Sequence, residues 1–322
     1  MQCKAVIIFT FISLFTYCTA SKYATGDNLL ISGSPTEAVD AYKKLTEADP
    51  YDPLAFVRLG DAYLAMNNYD DATKAYDEAL FLQPDLLEAA EKWQKTRLGK
   101  GLDHMAQENY RNAIDVFEYL LKKYPENTTV LKPLAECYTK SNRIDKARES
   151  YKTYIAVNTE DTVAVTALKV LDTKTVQAEK IYTTALEDYE RGMFYEAAEM
   201  LKEAIELKPD YIDARYLSHI ATGRHHLRRS DQMELWDAIA AFGMCTTLKP
   251  DEIEPHFYMA QAYAKKDKTK FAENIKRFRK IIETAPDSEF AKQSEKKVKE
   301  LTELMKFYKI KRDGSQDFSG LN

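Results

Sequence analysis

One interval governs this chain. With Pro53 counted as position 1, Phe56 stands at position 4, Leu59 and Gly60 at 7 and 8, and Tyr63 at 11. Ala72 then falls at 20, Tyr76 at 24, Ala79 at 27 and Pro84 at 32. Residues at 4, 7, 8 and 11 share one face of a helix, and those at 20, 24 and 27 share one face of a second. Gly60 and Ala72 are small where two antiparallel helices come closest, while Tyr63 and Tyr76 fill the wider gaps. Pro84 cannot continue the second helix and forces a turn. One such pair cannot bury its apolar face alone, so it must stack on others of its kind.

The others are present. Residues 19–52 carry Gly26, Ala38, Tyr42, Leu45 and Pro50 at positions 8, 20, 24, 27 and 32, and residues 94–127 carry Gly101, Ala113, Phe117, Leu120 and Pro125. Residues 128–161 carry Ala135, Tyr138, Ala147, Tyr151 and Tyr154, with Thr159 where proline stands elsewhere. Pro133 near the start of that unit predicts a first helix that begins late or kinks. Residues 178–211 carry Ala185, Ala197, Leu201, Ala204 and Pro209. A less regular unit follows. Ala238, Phe242, Cys245 and Pro250 mark its second helix, with about seven extra residues between it and a first helix near 212–226. A last unit, from about 253, carries Ala260 and Tyr263 and slips by two residues before Phe278, Ile281 and Pro286. The spacers 87–93 and 162–177 read as extensions of neighbouring helices, since Leu86 to Lys95 holds no breaker.

This pattern resembles the tetratricopeptide repeat family, a 34-residue helix-turn-helix. The resemblance covers about residues 21–308 and implies an all-α chain of helix pairs stacked into a right-handed superhelical solenoid, with a concave groove lined by the first helices. The expected organisation is a signal peptide over 1–20, then units at about 21–52, 53–86, 94–127, 128–161, 178–211, 212–250 and 253–287. A charged capping helix over 288–308 and a loose tail over 309–322 complete it.

Charge and composition narrow the function. The 322 residues carry a formal net charge of −5, which argues against a nucleic-acid binder, normally marked by a basic stripe. Met1 to Lys4 is a short basic start, Ala5 to Tyr17 is apolar, and Cys18-Thr19-Ala20 offers small residues for cleavage before Ser21. That is the layout of a secretory signal peptide. An uncleaved anchor and a lipidated Cys18 are the alternatives, although Phe15 to Tyr17 suits lipoprotein cleavage poorly. No later run is long and apolar enough to span a bilayer. Cleavage would remove Cys3 and Cys18, leaving Cys137 and Cys245 far apart in helical patterns, where they read as small buried residues and not as a disulfide framework.

No pattern of catalysis emerges. The chain has no GxxxxGK[ST] phosphate loop, no GxGxxG after a strand, no HExxH, no CxxC and no GxSxG. The expectation is a non-enzyme with no cofactor and no metal. Histidines gather in 218–229, where His219 and His226 stand seven apart, but no cysteine or carboxylate stands at a ligand interval. The same stretch offers a secondary basic patch, Arg224, His225, His226, Arg228 and Arg229, that could dock an acidic partner or a lipid headgroup. Asn127-Thr128-Thr129 is an N-glycosylation sequon at an inter-repeat turn.

In the family that this chain resembles, the groove is lined by positions 2, 5, 9, 12 and 13 of each repeat. Carried over, these positions nominate Val57, Asp61, Leu64, Leu98, Leu102, Met105, Tyr182, Leu186, Tyr189, Phe257 and Gln261 as the partner-binding face. The Lys/Asn arrangement with which chaperone-binding members grip a carboxylate is missing, because Glu136 stands where Asn is needed after Lys132. Apolar and aromatic side chains dominate instead, and such residues mark partner sites when exposed. Ala285 to Ala291 (APDSEFA) is similar to turns of bacterial cell-envelope repeat lipoproteins. The expected function is a non-catalytic protein-interaction scaffold of the cell envelope or secretory compartment, binding one or more protein segments. The alternatives are a carrier of a small hydrophobic ligand and a non-catalytic subunit of a larger envelope complex.

Overall fold

The computed structural model describes residues 22–229 and 231–312. The expected signal peptide over 1–20, with Cys3 and Cys18, lies outside the described residues, as does 313–322 of the expected tail. Among the described residues the secondary structure is fifteen α-helices and one 3₁₀ turn. The chain forms two compact units divided between Thr166 and Ala167.

The first unit contains α1 (Ala24–Ile31), α2 (Pro35–Ala48), α3 (Pro53–Ala65), α4 (Tyr69–Leu82), α5 (Leu87–Ala106), α6 (Tyr110–Lys123), α7 (Leu131–Lys140) and α8 (Ile144–Val157). The division falls within α9 (Thr162–Glu190). The second unit continues through α10 (Phe194–Leu207), α11 (Ile212–Leu227), α12 (Gln232–Leu248), α13 (Ile253–Lys266), α14 (Phe271–Thr284) and α15 (Glu289–Arg312). From α1 to α8 and from α10 to α15 each helix packs on the next, and α9 shares a core with α10; the connections are too short for anything but antiparallel neighbours. The spacer 87–93 is the start of α5, 162–177 is the start of α9, and Lys309 to Arg312 extend α15.

The turns inside five of the pairs are built alike. Gly33, Asn67, Glu108, Asn142 and Gly192 all have φ between 56° and 81°. Each stands two residues after a first helix and two before the second. This left-handed residue reverses the chain while the next amide returns to the helix end, as Asn68 N–H does to the Tyr63 carbonyl at 3.0 Å. Asn68 then accepts from Asp71 N–H and caps α4. Pro133 falls in the first turn of α7, after a 3₁₀ turn over Thr128–Val130, so that helix begins late, where the missing N–H costs nothing.

The core is the set of interval residues. Ala38, Tyr42, Ala72, Tyr76, Ala113, Phe117, Ala147, Ala197, Leu201, Ala238 and Phe242 are all buried. Each aromatic ring lies against the small residue of its partner helix, so a Cβ on Gly60 would stand 2.5 Å from Tyr76 Cε1. Gly223 and Phe242 meet in the same way, although nineteen residues separate them and not the sixteen between Gly60 and Tyr76. The irregular unit therefore keeps the close approach and places its extra residues elsewhere. Cys137 and Cys245 are buried free thiols, each pushed up to about 12 by burial. At the end of the second unit, α15 buries Phe290, Val298 and Leu301 against Phe257, Phe278 and Ile281.

Candidate functional site

The nominated residues divide between the units. In the first, α3 carries Val57, Asp61 and Leu64, and α5 carries Leu98, Leu102 and Met105. Leu102 is 44% exposed, and Leu64, Leu98 and Met105 are half-buried. Leu98 also lines a shallow cleft of about 250 Å³ with Gln94, Lys95 and Thr129. This cleft lies where the first helix α5 meets the start of the next first-helix segment. Asn127 stands at its edge, donating to Gln94 Oε1 at 2.7 Å and accepting from Thr129 N–H at 3.2 Å. The sequon side chain is thus engaged in the turn that frames the cleft.

Two of the six do not present a surface. Val57 is 1% exposed, on a helix packed against α2, α4 and α5, and offers nothing to a partner. Asp61 is a structural acceptor: Tyr76 Oη donates to it at 2.8 Å and Lys92 Nζ at 2.6 Å. Lys92 also pairs with Glu88 at 2.9 Å. Lys132 is similarly occupied. It donates to Asp161 at 2.7 Å, and Asp161 caps the start of α9 by accepting from Val163 and Ala164 N–H. The lysine, and then the Ala164 amide, hold the Asp161 carboxyl at about 2, well below its ordinary range.

In the second unit the nominated residues mostly serve packing. Tyr182 lies against Tyr211 with centroids 5.1 Å apart, and Leu186 packs on the core. Tyr189 donates to Glu254 at 2.8 Å and accepts from Arg224 at 3.0 Å, and burial raises its phenol well above the ordinary value. Phe257 is 1% exposed because α15 covers it, with the Phe290 ring 5.2 Å away. Gln261 is half-buried.

The basic stretch does not form one patch. The Arg224 guanidinium turns inward over Phe194 at 4.2 Å, Tyr258 at 4.7 Å and Tyr189 at 5.1 Å, with Glu254 at 3.9 Å. Aromatic faces and a carboxylate satisfy that charge inside the fold. His226 pairs with Glu234, which also accepts from Arg229 at 2.7 Å. His225 lies against Tyr195, and Arg228 covers Phe194. Arg228 and Arg229 remain exposed. Burial lowers His219 below the ordinary histidine value. Among the described residues no group of three His, Cys, Asp or Glu side chains is arranged to hold a metal ion, and no helix is long and apolar enough to cross a membrane.

A second, larger cleft of about 600 Å³ opens between α13 and α14, with Met259, Ala260, Tyr263, Arg277, Lys280 and Ile281 in its lining. No groove position marks it. Its signal in the sequence is the two-residue slip before Phe278.

Residues 29–92 and 104–170 match the tetratricopeptide repeat family model, so these segments are repeats of that family. Superkiller complex protein 3 of Homo sapiens is 29% identical over 111 residues, covering 34% of this chain and 6% of that protein. Tetratricopeptide repeat protein 37 of Xenopus laevis is 28% identical over 106 residues, covering 33% of this chain and 6% of that protein. The chain therefore matches only a small part of either relative's length. Among solved structures, the TPR domain of P58(IPK) aligns over 88% of this chain and 98% of its own, at 14% identity and a TM-score of 0.39. MamA aligns over 57% of this chain and 94% of its own, at 21% identity and a TM-score of 0.32.

Proposed function

We propose that this chain of tetratricopeptide repeats is a non-catalytic scaffold that holds a protein partner on the first-helix face of its first unit. Proteins built of this repeat act as interaction scaffolds, and the match indicates no catalytic family. The observation that carries the reading is the apolar run on α5. Leu102 is exposed, Leu98 and Met105 are half-buried, and Leu98 enters the cleft shared with Lys95 and Thr129. Such a run accepts an amphipathic helix or extended segment whose apolar side chain enters the cleft while Lys95 and Glu91 order its flanks.

The place of action is an exported one, the periplasm, cell envelope or secretory route. The basic start, apolar run and small residues before Ser21 support it. Sequencing of the mature N-terminus should then begin at Ser21.

In-cell crosslinking of the full chain, beside Leu98→Asp/Leu102→Asp, tests the partner face. A protein captured by the parent and lost from the folded variant supports the proposal. Equal capture by both refutes it.

A further inference from the structure

The pair α13 and α14 breaks the repeat interval in two ways. Six second helices place alanine at the closest approach: Ala38, Ala72, Ala113, Ala147, Ala197 and Ala238. In α14 that place belongs to Asn274, fourteen residues after Ala260 where Ala72 stands twelve after Gly60. Asn274 is fully buried, and its amide donates to the Asp267 carbonyl at 3.0 Å while its oxygen accepts from Arg277 at 3.2 Å. The larger side chain is fixed between the turn and its own helix, so the pair cannot close as the others do. The cleft of about 600 Å³ follows, a size within the span of small-molecule sites.

Its lining is two-sided. Ala260 and Ile281, both nearly buried, form an apolar floor, and Met259 and Tyr263 extend it. Along α14 stand two cations one turn apart, Arg277 and Lys280. The Arg277 guanidinium is pre-set, lying 4.1 Å over the Tyr263 ring and bonded to Asn274, with Glu273 no nearer than 3.9 Å. Among the described residues Lys280 has no ion-pair partner. His256 faces the same cleft. Asp251, the lone carboxylate of the lining, stands at the opposite end from Tyr263, on the turn before α13.

We propose that this cleft binds an anionic amphiphile, an apolar chain ending in a carboxylate. The chain lies on Met259, Ala260 and Ile281, and the carboxylate faces Arg277 and Lys280, where charge-assisted hydrogen bonds hold it. This function is separate from the protein-partner reading, since it uses other residues in the other unit.

Calorimetric titration of the full chain with dodecanoate, and with dodecanol as the uncharged counterpart, tests the assignment. Dodecanoate binds with a stoichiometry of one and dodecanol at least about tenfold more weakly. Arg277→Gln weakens dodecanoate by about tenfold or more, and Lys280→Gln, on an exposed position that leaves packing intact, by several-fold. Met259→Trp, which fills the cleft, abolishes uptake with an unchanged helical circular dichroism spectrum. The proposal is overturned if no saturable one-to-one uptake occurs, if dodecanol binds as tightly as dodecanoate, or if Lys280→Gln and Met259→Trp both bind as the parent does.

Discussion

Gly60 lies beneath the ring of Tyr76, with room for a hydrogen and no more, and the Tyr76 hydroxyl reaches on to Asp61 at 2.8 Å. The two residues stand sixteen apart in the chain and carry the opposing faces of one helix pair. A methyl group at Gly60 must push the buried ring or part the helices. Gly60→Ala should therefore cost about 1–3 kcal/mol, seen as a lower urea midpoint. The same exchange at Gly243, where a Cβ meets nothing within 4 Å, should cost nothing and gain a few tenths of a kcal/mol in helix propensity, about the Gly-to-Ala difference at most.

The turns supply a stabilising change. Glu108 holds a φ of 57° at the position that Gly33 and Gly192 occupy in other pairs. A side chain there costs about 1–2 kcal/mol, partly offset by the greater freedom glycine has when unfolded. Glu108→Gly should raise stability by about 0.5–1 kcal/mol, read as a higher thermal midpoint with unchanged helicity.

Asp161 gives a pH signature. Its carboxyl is held at about 2, first by Lys132 and then by the Ala164 amide. A depressed carboxyl contributes stability that is complete above its unfolded value and lost as pH falls through the folded one. The melting-temperature gap between the parent and Asp161→Asn should be constant above about pH 5 and close between about pH 4 and 2. A gap that persists unchanged at pH 2 contradicts the assignment.

Arg224 separates a structural charge from a docking one. It is held by three rings, the Tyr189 hydroxyl and Glu254. Arg224→Met removes the cation and leaves Glu254 with Tyr189 alone. Both charged side chains keep about a quarter of their exposure, so solvent screening reduces the loss to about 1–2 kcal/mol. Chemical denaturation measures this. Arg228→Gln, whose exposed guanidinium only covers the Phe194 ring, should cost at most about 1 kcal/mol.

What was legible in the sequence follows from the periods. The Gly60–Tyr76 interval recurs because close helix approach needs a small residue opposite a large one, and spacing alone reveals that. The unbroken run into Trp93 shows that α5 starts early, since nothing between Leu86 and Lys95 stops a helix. Burial on the first-helix face was not legible in the same way. Val57 and Leu102 look alike in a groove register, but whether a neighbour covers each depends on packing between pairs. Phe257 is hidden by Phe290, from a helix that no repeat position specifies. Asp61 reads as a surface charge until Tyr76 and Lys92 converge on it. Arg224 reads as part of a basic run because a run of cations does not say which one turns inward. The α13–α14 cleft was marked by a slip in register, and its meaning became visible only with Asn274 in place at the turn.

The first-helix face of the first unit is the surface proposed to meet a protein partner. A photo-crosslinking amino acid placed at Leu102, and in a second chain at Phe81, measures this most directly. Phe81 is 80% exposed on the second helix α4, so it reports the opposite class of surface with no loss of fold. A discrete crosslinked protein is expected from position 102 and none from position 81. Crosslinks from 81 alone, or equally from both, would contradict it.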